Sequence, residues 1–165
     1  MTTSAGAPPV PPEVPTPLGE ASASEAATPY KHPRVLFEED YQAVRPVYAV
    51  WEITLKCDLA CRHCGSRAGR ARPDELSTAE ALDLVKQLAE IGTKEVTLIG
   101  GEAYLREDWL VILAALVAAK MRVGITSGGR GFTEERLRAA KAAGLHGVSI
   151  SLDGDEATHD RLRGV

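Results

Sequence analysis

What this 165-residue chain has little of narrows the field first. Positive charge is not in excess: 19 Lys and Arg stand against 23 Asp and Glu, a formal net charge of -4. That balance lacks the basic footprint of a nucleic-acid binder. Long apolar runs are missing too, since the longest, Trp109 to Ala119, has eleven residues, and a membrane-spanning helix needs about 20. No basic residue precedes Lys31 and no early apolar run occurs, which excludes the layout of a secretory signal peptide. Cysteine is scarce and odd in number, three in all, so no closed disulfide framework can form. With 44% apolar and 25% charged residues, the composition is that of a globular chain, of one or at most two domains. The expectation is a cytoplasmic protein with no nucleic-acid or membrane partner.

Proline is abundant only at the start. Eight of ten prolines lie before Arg34, among Ala, Ser, Thr and Glu with almost no large apolar side chains. Such a segment buries too little surface to offset its ordering entropy, so residues 1–33 are expected to be a disordered tail. Residues 34–46 read as a lead-in.

From residue 47 the pattern alternates between strand-like and helix-like stretches. Val47 to Thr54 is rich in β-branched and aromatic residues and reads as a strand. Ser77-Thr-Ala-Glu80 has the form of a capping box, with Ala81, Leu84, Val85, Leu88 and Ile91 at helical spacing and Gly92 as the stop. Glu95 to Ile99 is a second strand, followed by a helix from Trp109 opened by Glu107-Asp108. Met121 to Thr126 is a third strand. Thr133 caps a helix over Glu134 to Ala143, and Gly147 to Leu152 is a fourth strand. Four βα-type units in succession imply an α/β fold with a parallel sheet, as a barrel or a doubly wound sheet. In both, chemistry gathers beyond the carboxyl ends of the strands.

Those ends carry unusual sequences. After the first strand stands Cys57-Asp-Leu-Ala-Cys61-Arg-His-Cys64, after the second Gly100-Gly101-Glu102, after the third Thr126-Ser-Gly-Gly129, and after the fourth Ser151-Leu-Asp-Gly154. Three thiolates on a short loop suit three corners of an iron–sulfur cube, and no fourth cysteine exists to complete it. A structural zinc would want a fourth ligand, for which His63 is the near option. Alternatively, positions 57, 61 and 64 would share one helix face as buried structural cysteines. Gly100-Gly101 also reads as a plain strand-to-helix turn, Ser151 as a polar strand end, His63 as a solvated loop residue, and Arg161 and Arg163 as surface arginines.

Taken in order, these motifs resemble the radical S-adenosylmethionine (SAM) superfamily. The resemblance implies a partial parallel (β/α)6 barrel over residues 47–165, truncated after about four of six units. It implies a [4Fe–4S] cluster on Cys57, Cys61 and Cys64 with SAM at the fourth iron, and Gly100, Gly101 and Glu102 at the SAM amino group. Ser151 would meet the ribose or carboxylate, and His63 would lie near the adenine. The implied activity is reductive cleavage of SAM to a 5′-deoxyadenosyl radical that abstracts hydrogen from a substrate. The implied electron source is flavodoxin or ferredoxin. The flanking residues look most like the branch with SPASM or twitch auxiliary domains, which implies peptide, protein or cofactor maturation. Two departures stand out: Ala103-Tyr104 replaces the usual proline after Gly-Gly-Glu, putting loop rigidity in doubt, and Ser127 stands where many members have Asn. The readings from other classes are an iron–sulfur electron-transfer protein that leaves SAM intact and a zinc-binding interaction module.

Overall fold

The computed structural model describes Arg34 and residues 36–165, so the tail expected over 1–33 lies outside the described residues. A short helix α1 (Glu38–Gln42) leads into β1 (Tyr48–Glu52), α2 (Thr78–Glu90), β2 (Glu95–Ile99), a 3-10 turn (Ala103–Leu105), α3 (Trp109–Ala118), β3 (Arg122–Ser127), α4 (Glu134–Ala142), β4 (Gly147–Ile150) and α5 (Glu156–Arg163). The four strands form one parallel sheet in sequence order. Register follows directly, with Tyr48 opposite Glu95, Glu95 opposite Arg122, and Gly124 opposite Gly147. The fold is therefore α/β, four parallel strands alternating with helices, as part of a barrel.

Strand alternation sends one set of side chains to each face. Ala49, Trp51, Val96, Leu98, Val123, Ile125 and Val148 pack on the helices, against Ala81 and Val85 of α2, Ile112, Leu113 and Leu116 of α3, and Ala140 of α4. Leu98, Ile112, Leu113 and Leu116 are fully buried, each worth about 2 kcal/mol in burial. The other face carries mostly polar residues, Tyr48, Glu95, Thr97, Arg122 and Ser149, together with Val50 and Ile99. Such a face suits a barrel interior that holds polar ligands better than a dry core.

Helix boundaries follow their caps. Ser77 accepts from the Glu80 N–H while the Glu80 carboxylate accepts from the Ser77 N–H at 2.8 Å, which is the expected capping box. Thr133 caps α4 in the same sense. The strands are trimmed or shifted relative to expectation: β1 loses Val47 and Ile53-Thr54, β3 runs one residue later, and β4 ends at Ile150 rather than Leu152. At the carboxyl ends of β1 and β4 the chain leaves the ladder for a loop, so β-type composition outlasts the pairing there. Sequence pattern also passed over α5. Its signals are Asp155, which accepts from the Thr158 N–H, and Gly164, which is left-handed at the end.

Candidate functional site

Beyond the carboxyl ends of the strands lies a cavity of about 280 Å³, lined by Cys57, Cys61, Cys64, His63, Gly100, Gly101, Glu102, Ser127, Gly128, Ser151 and Arg163 among others. Residues from four separate strand ends meet there. The cysteine segment from 57 to 64 is loop and not helix, which overturns the one-helix-face reading. A helix would have buried one stripe, whereas all three thiols are free and only partly covered.

Each sulfur accepts one N–H. The Leu59 amide reaches Cys57 Sγ at 3.4 Å, the Ala68 amide reaches Cys64 Sγ at 3.3 Å, and Arg163 Nη1 reaches Cys61 Sγ at 3.8 Å. Burial pushes the Cys57 thiol above its ordinary value, with Glu102 and Asp58 close enough to add to the effect. Among the described residues, the trio whose ligand atoms come within 4.8 Å of one another is Cys57, Asp58 and Glu102. Three soft donors on one loop, each supplied with a hydrogen bond, suit a thiolate-ligated metal centre.

The glycines let backbone approach backbone. A Cβ on Gly100 would stand 2.4 Å from the Thr54 carbonyl oxygen, and one on Gly101 would stand 2.4 Å from the Lys56 carbonyl and 2.7 Å from Cys57 Cβ. No other residue fits between this turn and the base of the cysteine loop. Backbone bonds join the two: Gly101 N–H donates to Thr54 and Glu102 N–H to Lys56, at 2.9 and 2.8 Å.

Glu102 is buried, and both its oxygens are held by β3's end. The Ser127 hydroxyl donates to Oε2 at 2.7 Å and the Gly128 N–H to Oε1 at 2.6 Å. Burial raises its carboxyl above the usual range despite these donors. Ser127 thus holds the carboxylate in place. Each oxygen accepts one hydrogen bond and has capacity for another.

Tyr104 answers the doubt raised by the missing proline. Its hydroxyl sits 3.2 Å from Asp58 Oδ2, to which it donates, and accepts the Gly131 N–H at 3.0 Å. Its ring is buried, tilted 5.5 Å from Phe132, with the Arg136 guanidinium 4.8 Å from its centroid. The loop is pinned by the Tyr104 side chain.

Ser151 is half-buried on the cavity wall, and its N–H donates to the Ser127 carbonyl at 3.0 Å. His63 is exposed at the mouth, with Nε2 3.6 Å from Asp153 Oδ1. Arg161 is exposed, but Arg163, which pattern alone leaves as a surface residue, is nearly covered and reaches a cysteine. Its signal in the sequence is faint, because contact and cysteine lie 102 residues apart.

Fold and site together define a class: an α/β barrel-type protein with a thiol triad and a buried carboxylate at the strand ends. The family model of the radical SAM superfamily matches residues 51–165, and the chain belongs to that superfamily. It is 36% identical over 117 residues to the AdoMet-dependent heme synthase of Nitratidesulfovibrio vulgaris, covering 70% of this chain and 32% of that protein. It is 31% identical over 119 residues to the sporulation killing factor maturation protein SkfB of Bacillus subtilis, covering 72% and 29%. The fold resembles that of Streptococcus suis SuiB bound to its precursor peptide SuiA, with a TM-score of 0.62 at 21% identity over 77% of this chain and 30% of that one. The chain spans about a third of the length of the curated relatives it matches. Superfamily membership brings the [4Fe–4S] cluster and SAM as cofactors. No helix of the described residues is long and apolar enough to cross a membrane.

Proposed function

We propose that residues 47–165 form the cofactor-binding part of a radical SAM core that cleaves SAM reductively for hydrogen abstraction, in maturation of a peptide, protein or cofactor. The observation that carries this is the meeting of three free, separately hydrogen-bonded thiols with Gly100-Gly101 and a buried, tethered carboxylate in one cavity. When bound, the cluster and SAM together supply an electron and a carbon-centred radical able to take a hydrogen atom.

The chain's own groups do the holding. Cys57, Cys61 and Cys64 ligate iron, and the loop N–H groups of Leu59 and Ala68 steady two of the sulfurs. Glu102 and the strand-end backbone at Gly100-Gly101 accept from the methionine ammonium, a charge-assisted contact that a Cβ would obstruct. Ser151 meets the ribose or carboxylate, and His63 closes the adenine side at the cavity mouth. A peptide substrate is favoured by the names of SkfB and of SuiB with its precursor peptide. The heme synthases keep a small-molecule substrate in view. A reductant of the flavodoxin or ferredoxin type, in the cytoplasm, completes the reading, with residues 1–33 as a tail and 34–46 as a lead-in.

The test is anaerobic reconstitution with iron and sulfide, followed by metal analysis, SAM binding and a search for 5′-deoxyadenosine after reduction. Brown protein that binds SAM supports the cofactor assignment. One colourless metal per chain would replace it with the zinc module, and a cluster without SAM binding would replace it with electron transfer.

A further inference from the structure

We propose that Arg163 is a positioning residue for the cluster loop, whose guanidinium holds the Cys61 thiolate and raises the reduction potential of an iron–sulfur group ligated there. The proposal rests on the cofactor reading above.

Arg163 lies in the last turn of α5, and its side chain is 13% exposed. Its Nη1 is 3.8 Å from Cys61 Sγ while its Nε donates to Asp153 Oδ2. The planar fork serves two acceptors at once, which a lysine cannot do in the same geometry. Asp153 is itself steadied, since its other oxygen faces His63 Nε2 at 3.6 Å and its N–H donates to His159 Nδ1 at 3.4 Å.

Backbone contacts fix the helix end against the loop independently of this side chain. The Arg62 N–H donates to the Leu162 carbonyl at 2.8 Å. Gly164, in the left-handed region at φ 73°, lies so near Ala60 that a Cβ would stand 2.8 Å from its carbonyl oxygen. The guanidinium therefore arrives at Cys61 on a docked element.

The three sulfurs are not equivalent. Cys57 and Cys64 accept from neutral amides of their own loop, whereas Cys61 accepts from a guanidinium on another element. Adding an electron makes the cluster and its thiolates more negative, so a nearby cation stabilises the reduced form more than the oxidised one. Hydrogen bonds to ligand atoms act in the same direction and also orient them. Asp153 orients the guanidinium and offsets part of its charge.

The experiment compares wild type, R163K and R163M as full chains, reconstituted anaerobically with iron and sulfide. Iron per chain, absorbance and circular dichroism are read first, then the midpoint by mediated redox titration followed by EPR. The expected midpoints fall in the order wild type, R163K, R163M at equal iron content. At the wild-type midpoint, R163M should show a reduced-to-oxidised ratio lower by about threefold or more, roughly 30 mV for one electron. Should R163M fail to fold, the shift in R163K decides. Full iron with an unchanged midpoint overturns the proposal, and so does equal loss of iron in both variants, which marks a plain structural brace. Wild-type protein that takes up no cluster overturns instead the cofactor reading on which this rests.

Discussion

The two ends of the same parallel sheet treat buried acids in opposite ways. At the amino end, Asp40 is held by Lys94 Nζ at 2.9 Å, and Glu95 accepts from Arg34 Nε at 2.8 Å with Arg122 4.0 Å away. Lys94 also lies 5.4 Å from the Phe37 ring centroid. At the carboxyl end, Glu102 is 2% exposed, yet among the described residues its hydrogen bonds come from a serine hydroxyl and a backbone amide, and no cation lies within salt-bridge distance. Neutral donors orient a carboxylate without cancelling its charge. One end is thus electrically closed by the chain itself, and at the other, among the described residues, the buried carboxyl has neutral hydrogen-bond donors and no ion-pair partner.

The largest effect should come from closing the gap at the carboxyl end. Gly101→Val would drive a side chain into the Lys56 carbonyl and Cys57, costing about 3 kcal/mol by overpacking and abolishing iron uptake, as read by urea denaturation and metal analysis. Cys57→Ala should separate the two quantities. Iron-dependent absorbance disappears, while the urea midpoint of the iron-free chain moves by less than about 1 kcal/mol, because the thiol is only partly buried. Lys94→Met is the mirror experiment at the amino end: Asp40 loses its ammonium partner and keeps only the Phe37 N–H, so the urea midpoint falls while iron stoichiometry is unchanged. Equal iron loss in this variant would break the division between the ends.

Two smaller effects sharpen it. Tyr104→Phe keeps the ring and removes the hydroxyl, which should cost about 1 kcal/mol and increase amide exchange in the segment from Gly128 to Gly131. The pH responses of the two acids should have opposite sign. Lys94 holds the Asp40 carboxyl below its ordinary value, so its stabilisation is present above the usual carboxylate range and is lost as pH falls through the lowered value. Burial raises that of Glu102, so its contribution is full below the usual range and is lost as pH rises through the raised value. Urea midpoints followed from acid below the usual carboxylate range up to neutral pH should therefore lose a slope on the acid side of that range in Asp40→Asn and a slope above it in Glu102→Gln.

Much of this arrangement is written in local pattern. The capping box at Ser77, the apolar spacing of α2 and the β-branched runs place four strands and three helices with shifts of one or two residues. The cysteine spacing and Gly100-Gly101-Glu102 declare themselves because thiols and paired glycines are rare and sit at strand ends. What pattern does not carry is contact across the fold. Arg163 looks like any surface arginine until α5 docks beside Ala60, and Tyr104, beside Ala103 at the usual proline position, shows no role until its hydroxyl meets Asp58. Helix α5 itself was legible in principle, from Asp155 at its start and Gly164 at its end, but it is mostly polar and offers little apolar periodicity to notice. The short α1 offers even less, with five residues held by Asp40 and its lysine.

The hydroxyl of Tyr104 has one more consequence. A proline stiffens only its own segment, covalently and whatever its neighbours do. A side chain shared between Asp58 and Gly131 instead joins two segments thermodynamically, and such coupling is reciprocal. Whatever free energy an occupant of the cysteine loop gains from an ordered Gly128–Gly131 segment, an occupant of that segment gains equally from an ordered cysteine loop.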